Sequence, residues 1–167
     1  MTTTRQQSAK QPRTILAGPY GHPFHPMLVT IPIGTWIASF VFDIAALAST
    51  EKEVFAAGAY WLIAIGVIGA LAAAVLGLLD LLAIPRGTKA FRTGLTHMAL
   101  NLVVVALFVI NFAVRAAGGY DRPAAATVVL SAVALVVLGA SGWLGGKLAY
   151  HYGVRVAAED VQREGYA

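Results

Sequence analysis

The sequence predicts an all-α membrane protein, a four-transmembrane-helix bundle of up-down-up-down topology. Three observations carry this. Of 167 residues, 58% are apolar and only 12% charged, with a mean hydropathy of +0.72; soluble domains run nearer half apolar and a quarter charged. Four windows are apolar enough to cross a bilayer, which takes roughly 20 residues each. The connections between the windows are short, which favours antiparallel neighbours.

The elements follow in order. Residues 1–21 read as a flexible polar, basic tail. The bundle is expected over 22–151, with spans at about 26–48, 54–84, 94–116 and 124–150, and residues 152–167 read as a polar tail. The connections are 49–53, 85–93 and 117–123. Pro26 suits a first helical turn, where a missing N–H costs little. Pro32, deeper in the same span, is expected to kink it. Ala46-Leu47-Ala48 resembles a small-residue cleavage site, but the long polar lead, Pro32 and Asp43 favour an uncleaved span over a signal peptide. No repeated motif marks the chain.

Charge sets the orientation. Arg5, Lys10, Arg13, Arg86, Lys89, Arg92, Lys147, Arg155 and Arg163 fall on the side of the N-terminus, and Lys52, Arg115 and Arg122 on the other. Cytoplasmic loops carry the excess of Lys and Arg, so both termini are expected in the cytoplasm of a plasma (inner) membrane. The net charge of +4 therefore reads as a topology signal, not as a nucleic-acid surface. With no Cys, the chain alone cannot build a disulfide, a thiolate metal site, an iron–sulfur cluster or a c-type haem attachment.

Ionisable groups in lipid are costly and point to function or to pairing. His25, Val29, Pro32, Trp36, Ser39 and Asp43 form one helical stripe; His97, Asn101, Val104, Phe108, Asn111 and Arg115 form another. The second span carries Gly66, Gly69, Ala73, Gly77 and Asp80, and the fourth carries Gly142 and Gly146 at close-packing spacing. Threaded through a bilayer, His22, His25, Asp80, His97, Asn101 and His151 come to one end, and Asp43, Asn111 and Arg115 to the other. The polar ends are separated by an apolar middle. At the first end, an Asp80–His97 pair is expected to fix the imidazole tautomer. His22 and His151 also read as plain interfacial residues. At the other end, Asp43 and Arg115 read as a structural ion pair.

The run Gly21-His22-Pro23-Phe24-His25-Pro26-Met27-Leu28-Val29, then Pro32-Ile33-Gly34 and Asp43, followed by Gly77-Leu78-Leu79-Asp80 and His97, resembles the "domain of unknown function 2231" family of predicted bacterial membrane proteins. The resemblance covers roughly 18–150. It implies four spans and singles out His25, Asp43, Asp80 and His97, but supplies no reaction. Some relatives are joined to Rieske-type or cytochrome-like modules, which implies a redox protein partner.

Three functions follow as expectations. The first is a cofactor site, with His25 and His97 as axial ligands of a b-type haem. The same end could hold a quinone on His97 and Asn101, or a divalent metal on His22, His25, Asp80 and His97. The second is a small transporter or permease subunit with a His/Asp proton relay, weakened by the apolar middle and the missing inverted repeat. The third is a structural or partner-docking subunit without a ligand, in which the His/Asp set only fastens the bundle. Separately, the glycine-rich faces allow homo-oligomers, through which a transport pathway could be built. No nucleophile with an adjacent base, H-E-x-x-H motif or phosphate-cradling loop is present, so the chain reads more readily as a non-enzyme.

Overall fold

A computed structural model describes residues 4–7, 9–10, 14–18 and 22–167. The tail expected over 1–21 thus lies partly outside the described residues. Within it, Ala9, Lys10 and Ala17 are buried. The described elements are α1 (Thr4–Gln7), α2 (Phe24–Leu28), α3 (Thr30–Ala48), α4 (Lys52–Ala83), α5 (Lys89–Gly118), α6 (Ala125–Gly146), a π-helical turn (Lys147–His151) and α7 (Glu159–Glu164). No strand occurs among the described residues.

Four helical stretches have the length and hydropathy of membrane spans: Phe24–Ala48, Lys52–Ala83, Lys89–Gly118 and Ala125–His151. Their outer faces expose Ile37, Val41, Ile68, Val75, Val103, Val129 and Val136. Apolar side chains facing outward suit lipid and not water. The chain is a multi-span membrane protein folded as a four-helix bundle.

The first span is two pieces, joined at Val29. Pro32 has no N–H to give the carbonyl one turn back, at Leu28, and the helix is interrupted there. The Thr30 hydroxyl bonds Met27 O at 2.6 Å nearby. The third span starts at Lys89 and not at 94, because charged residues at a helix start cost little when a cap is present. Thr88 supplies it, its Oγ1 accepting from Phe91 N–H at 3.1 Å.

α3 packs most extensively on α4, and α5 on α6; the α4–α5 and α3–α6 contacts close the ring. α3 and α5 therefore lie diagonally, and only long side chains from each meet at the centre. Trp36 and Phe108 stack there, with centroids 4.3 Å apart at 11°. Around them Ile63, Ala70, Val104 and Ala134 complete a buried apolar layer. This layer separates the two polar ends of the bundle.

Candidate functional site

At the end where α3 begins, two histidines face the bundle centre from opposite helices. His25 Nδ1 lies 2.9 Å from Ala73 O on α4. His97 Nδ1 lies 2.8 Å from Ser141 O on α6. A main-chain carbonyl can only accept, so each Nδ1 carries the proton and each Nε2 presents a lone pair. The ring centroids are 6.5 Å apart and the planes nearly perpendicular, at 87°.

Each ring is seated against a glycine. A β-carbon at Gly77 would stand 2.9 Å from His25 Cε1, and one at Gly145 would stand 3.1 Å from His97 Cε1. Any side chain there displaces the imidazole. The Ser141 hydroxyl adds a contact of 3.0 Å to His97 Nδ1. Asn101 sits one turn beyond His97, its Nδ2 at 3.1 Å from His97 Nε2 and 2.9 Å from His97 O. In this arrangement the Asn101 amide covers the His97 lone pair.

Asp80 does not pair with His97. Its Oδ1 accepts from Arg155 Nε at 2.8 Å, so the expected Asp80–His97 pair is corrected to Asp80–Arg155. The cause lies in the tail beyond the fourth span, which folds back over the bundle end. Val154 N–H bonds Leu148 O at 2.9 Å and Arg155 N–H bonds Ala9 O at 2.9 Å. Lys10 Nζ reaches Ala157 O at 3.3 Å. Arg155 takes a left-handed backbone, φ 59°, to make this turn.

The set His22, His25, Asp80 and His97 does not converge on an ion. Among the described residues, no group of three or more His, Cys, Asp or Glu side chains could hold a metal. Asp80 is engaged by Arg155, and His22 is exposed. His151 is also exposed, its ring edge-on to Tyr152 at 4.9 Å.

At the other end Asp43 and Arg115 form a bidentate pair, with Nη1–Oδ1 at 2.8 Å and Nη2–Oδ2 at 2.7 Å. Both are almost completely buried. Arg115 Nε also donates to Asn111 Oδ1 at 2.7 Å, and Asn111 Nδ2 donates to Thr127 O and Ser131 Oγ, both at 2.8 Å. This network ties α3, α5 and α6 together. Charge-assisted pairs of this planar form are the strongest hydrogen bonds a bundle can bury.

Sequence reasoning did not find Ser141 and Arg155. Ser141 lies one turn before Gly145 on a small-residue face, a signal that could have placed it against a ring. Nothing in the polar tail marks Arg155.

A family model described as "Predicted membrane protein (DUF2231)" matches residues 21–158. The chain belongs to this family of integral membrane proteins. No curated protein matches the chain, and no solved structure does.

Proposed function

We propose that His25 and His97 are the two protein ligands of one b-type haem, held near one membrane face, and that the protein passes electrons to or from a redox partner. The observation that carries this is the pair itself: two imidazoles fixed in the same tautomer by main-chain carbonyls, 6.5 Å apart. A bare divalent ion needs about four protein ligands, and the site offers two. A haem brings four nitrogens of its own and asks the protein only for the axial positions. His25 and His97 would hold the iron through their Nε2 atoms, and the haem would supply one-electron redox chemistry. A quinone needs donors at its oxygens, whereas both Nε2 atoms are acceptors.

The proton-relay reading is disfavoured by the apolar layer of Trp36, Phe108, Ile63 and Val104, which separates the histidines from the Asp43–Arg115 pair. The plainer reading, a ligand-free structural subunit, makes the histidines fasteners of α2 to α4 and of α5 to α6. Absorption spectroscopy of the detergent-purified protein with added hemin decides between them. A six-coordinate low-spin spectrum is expected, lost in His25→Ala and in His97→Ala. If the unaltered chain takes up no hemin while His97→Ala melts earlier, the fastener reading replaces this one.

Asn101 acts in this reading as a competitor for His97 Nε2. Asn101→Leu keeps the volume and removes the donor. A net hydrogen bond is worth about 0.5–1.5 kcal/mol, so hemin titration is expected to show affinity raised roughly two- to tenfold. A fall in affinity would make Asn101 part of the binding set instead.

The charge bias supports a cytoplasmic location for both termini, and so for the histidine end. Arg115 belongs to a buried pair, leaving Lys52 and Arg122 as the basic residues of the opposite loops. The absence of Cys permits a direct check. A cysteine placed at Gly87 is expected to be shielded from an impermeant thiol reagent in intact cells, and one at Gly119 to be labelled.

A further inference from the structure

The buried positions of the two helix pairs correspond. Pro32, Trp36, Ser39 and Asp43 are buried on α3. Val104, Phe108, Asn111 and Arg115 are buried on α5. Each pair, 32 to 104, 36 to 108, 39 to 111 and 43 to 115, is a step of 72 residues, and His25 to His97 is the same step. α6 buries Thr127, Ser131, Ala134 and Ser141. Their partners on α4 are Ala59, Ile63, Gly66 and Ala73, all buried, each a step of 68 (59 to 127, 73 to 141). Gly77 to Gly145 is that step again.

The contacts follow the same rule. His25 bonds Ala73 O beside Gly77; His97 bonds Ser141 O beside Gly145. The three ring atoms nearest each glycine are the same, Cε1, Nδ1 and Nε2. Trp36 fits against Gly66; the smaller Phe108 shares its buried cluster with Ala134, the counterpart of Gly66.

We infer that the chain is two parallel copies of one helix-pair unit about a pseudo-twofold axis running down the bundle, and that the axis passes between His25 and His97, so that the ligand of this pair has two equivalent faces, one held by each unit. Along the axis the other facing pairs are complementary: Trp36 stacks on Phe108, and Asp43 pairs with Arg115. At the histidine level the two groups are both imidazoles with Nδ1 engaged. They differ in that His97 Nε2 also meets the Asn101 amide, where the first unit has Val29. The two Nε2 acceptors do not satisfy each other, and a planar metal complex approached from both sides would satisfy both once the Asn101 amide turns away from His97. The part of this inference that concerns the ligand rests on the two-histidine reading above; the repeat does not.

Exchange of equivalent residues tests the repeat without any ligand. In Trp36→Phe/Phe108→Trp the large ring meets Ala134, and the melting temperature in detergent is expected to fall clearly. Adding Gly66→Ala and Ala134→Gly completes the exchange and is expected to restore most of the loss. A fourfold variant no more stable than the double one overturns the repeat. Hemin titration of His25→Ala and His97→Ala tests the axis through the site. The common background is Asn101→Leu, which removes the one donor that has no counterpart beside His25. Equal loss within about threefold supports the axis, and undiminished uptake by either variant overturns it. Failure of the unaltered chain to take up hemin overturns the haem reading and the shared ligand together, while the exchange experiment still decides the repeat.

Discussion

Arg115→Ala is expected to lower the stability of the bundle by about 3–5 kcal/mol, the cost of leaving a buried charge without its partner. The Asp43 carboxylate is wholly buried, with both oxygens given to Arg115, so the variant strands it in an apolar surround. Asn111 loses the donor to its Oδ1 at the same time. Asp43→Ala is expected to cost a similar amount by stranding the guanidinium. The double variant Asp43→Leu/Arg115→Met removes both charges and fills the space, and is expected to be far less damaging than either single change. Reversible unfolding in mixed detergent micelles measures all four proteins. A loss below about 1 kcal/mol in Arg115→Ala, the range of an exposed ion pair, would show that the pair contributes no more than a surface bridge.

Gly66→Ala is the second large expectation. A β-carbon there would overlap the Trp36 indole nitrogen and stand 2.7 Å from Thr35 Oγ1. Trp36 is buried and has no free side to move toward, since Phe108 stacks on its face. The indole N–H also donates to Ile63 O at 3.3 Å, a bond that displacement would break. Overpacking of a filled core costs about 1–3 kcal/mol, and the lost hydrogen bond adds about 1 kcal/mol. The melting temperature and the intrinsic tryptophan emission report the change together. An unaltered emission maximum with unaltered stability would mean that the α3–α4 contact gives way freely.

The number of spans, their order and the antiparallel topology were legible in the sequence, because lipid imposes one rule on composition and the windows obey it. The stripes through His25 and His97 were legible for the same reason: helical spacing converts polarity into a face. Asp80 was misassigned because depth along a helix fixes a level and not a direction, and its partner sits in a tail with no hydropathy signal. The start of α5 was placed late because Lys89 and Arg92 read as loop, while the cap at Thr88 depends on one hydroxyl. The repeat stayed hidden because its facing pairs are complementary instead of alike. Trp faces Phe, Asp faces Arg and Val29 corresponds to Asn101, so identity survives mainly where the histidines and their glycines sit.

The Asp43–Arg115 pair also bears on how the bundle meets an electric field. A membrane potential acts on net charge with about 2.3 kcal/mol per elementary charge per 100 mV. Two opposite charges bonded at 2.7 Å present almost none, so the folded chain carries its only bidentate charge pair among the described residues without feeling the voltage. A variant that keeps one member alone would have a fold whose stability rises or falls with the energisation of the membrane.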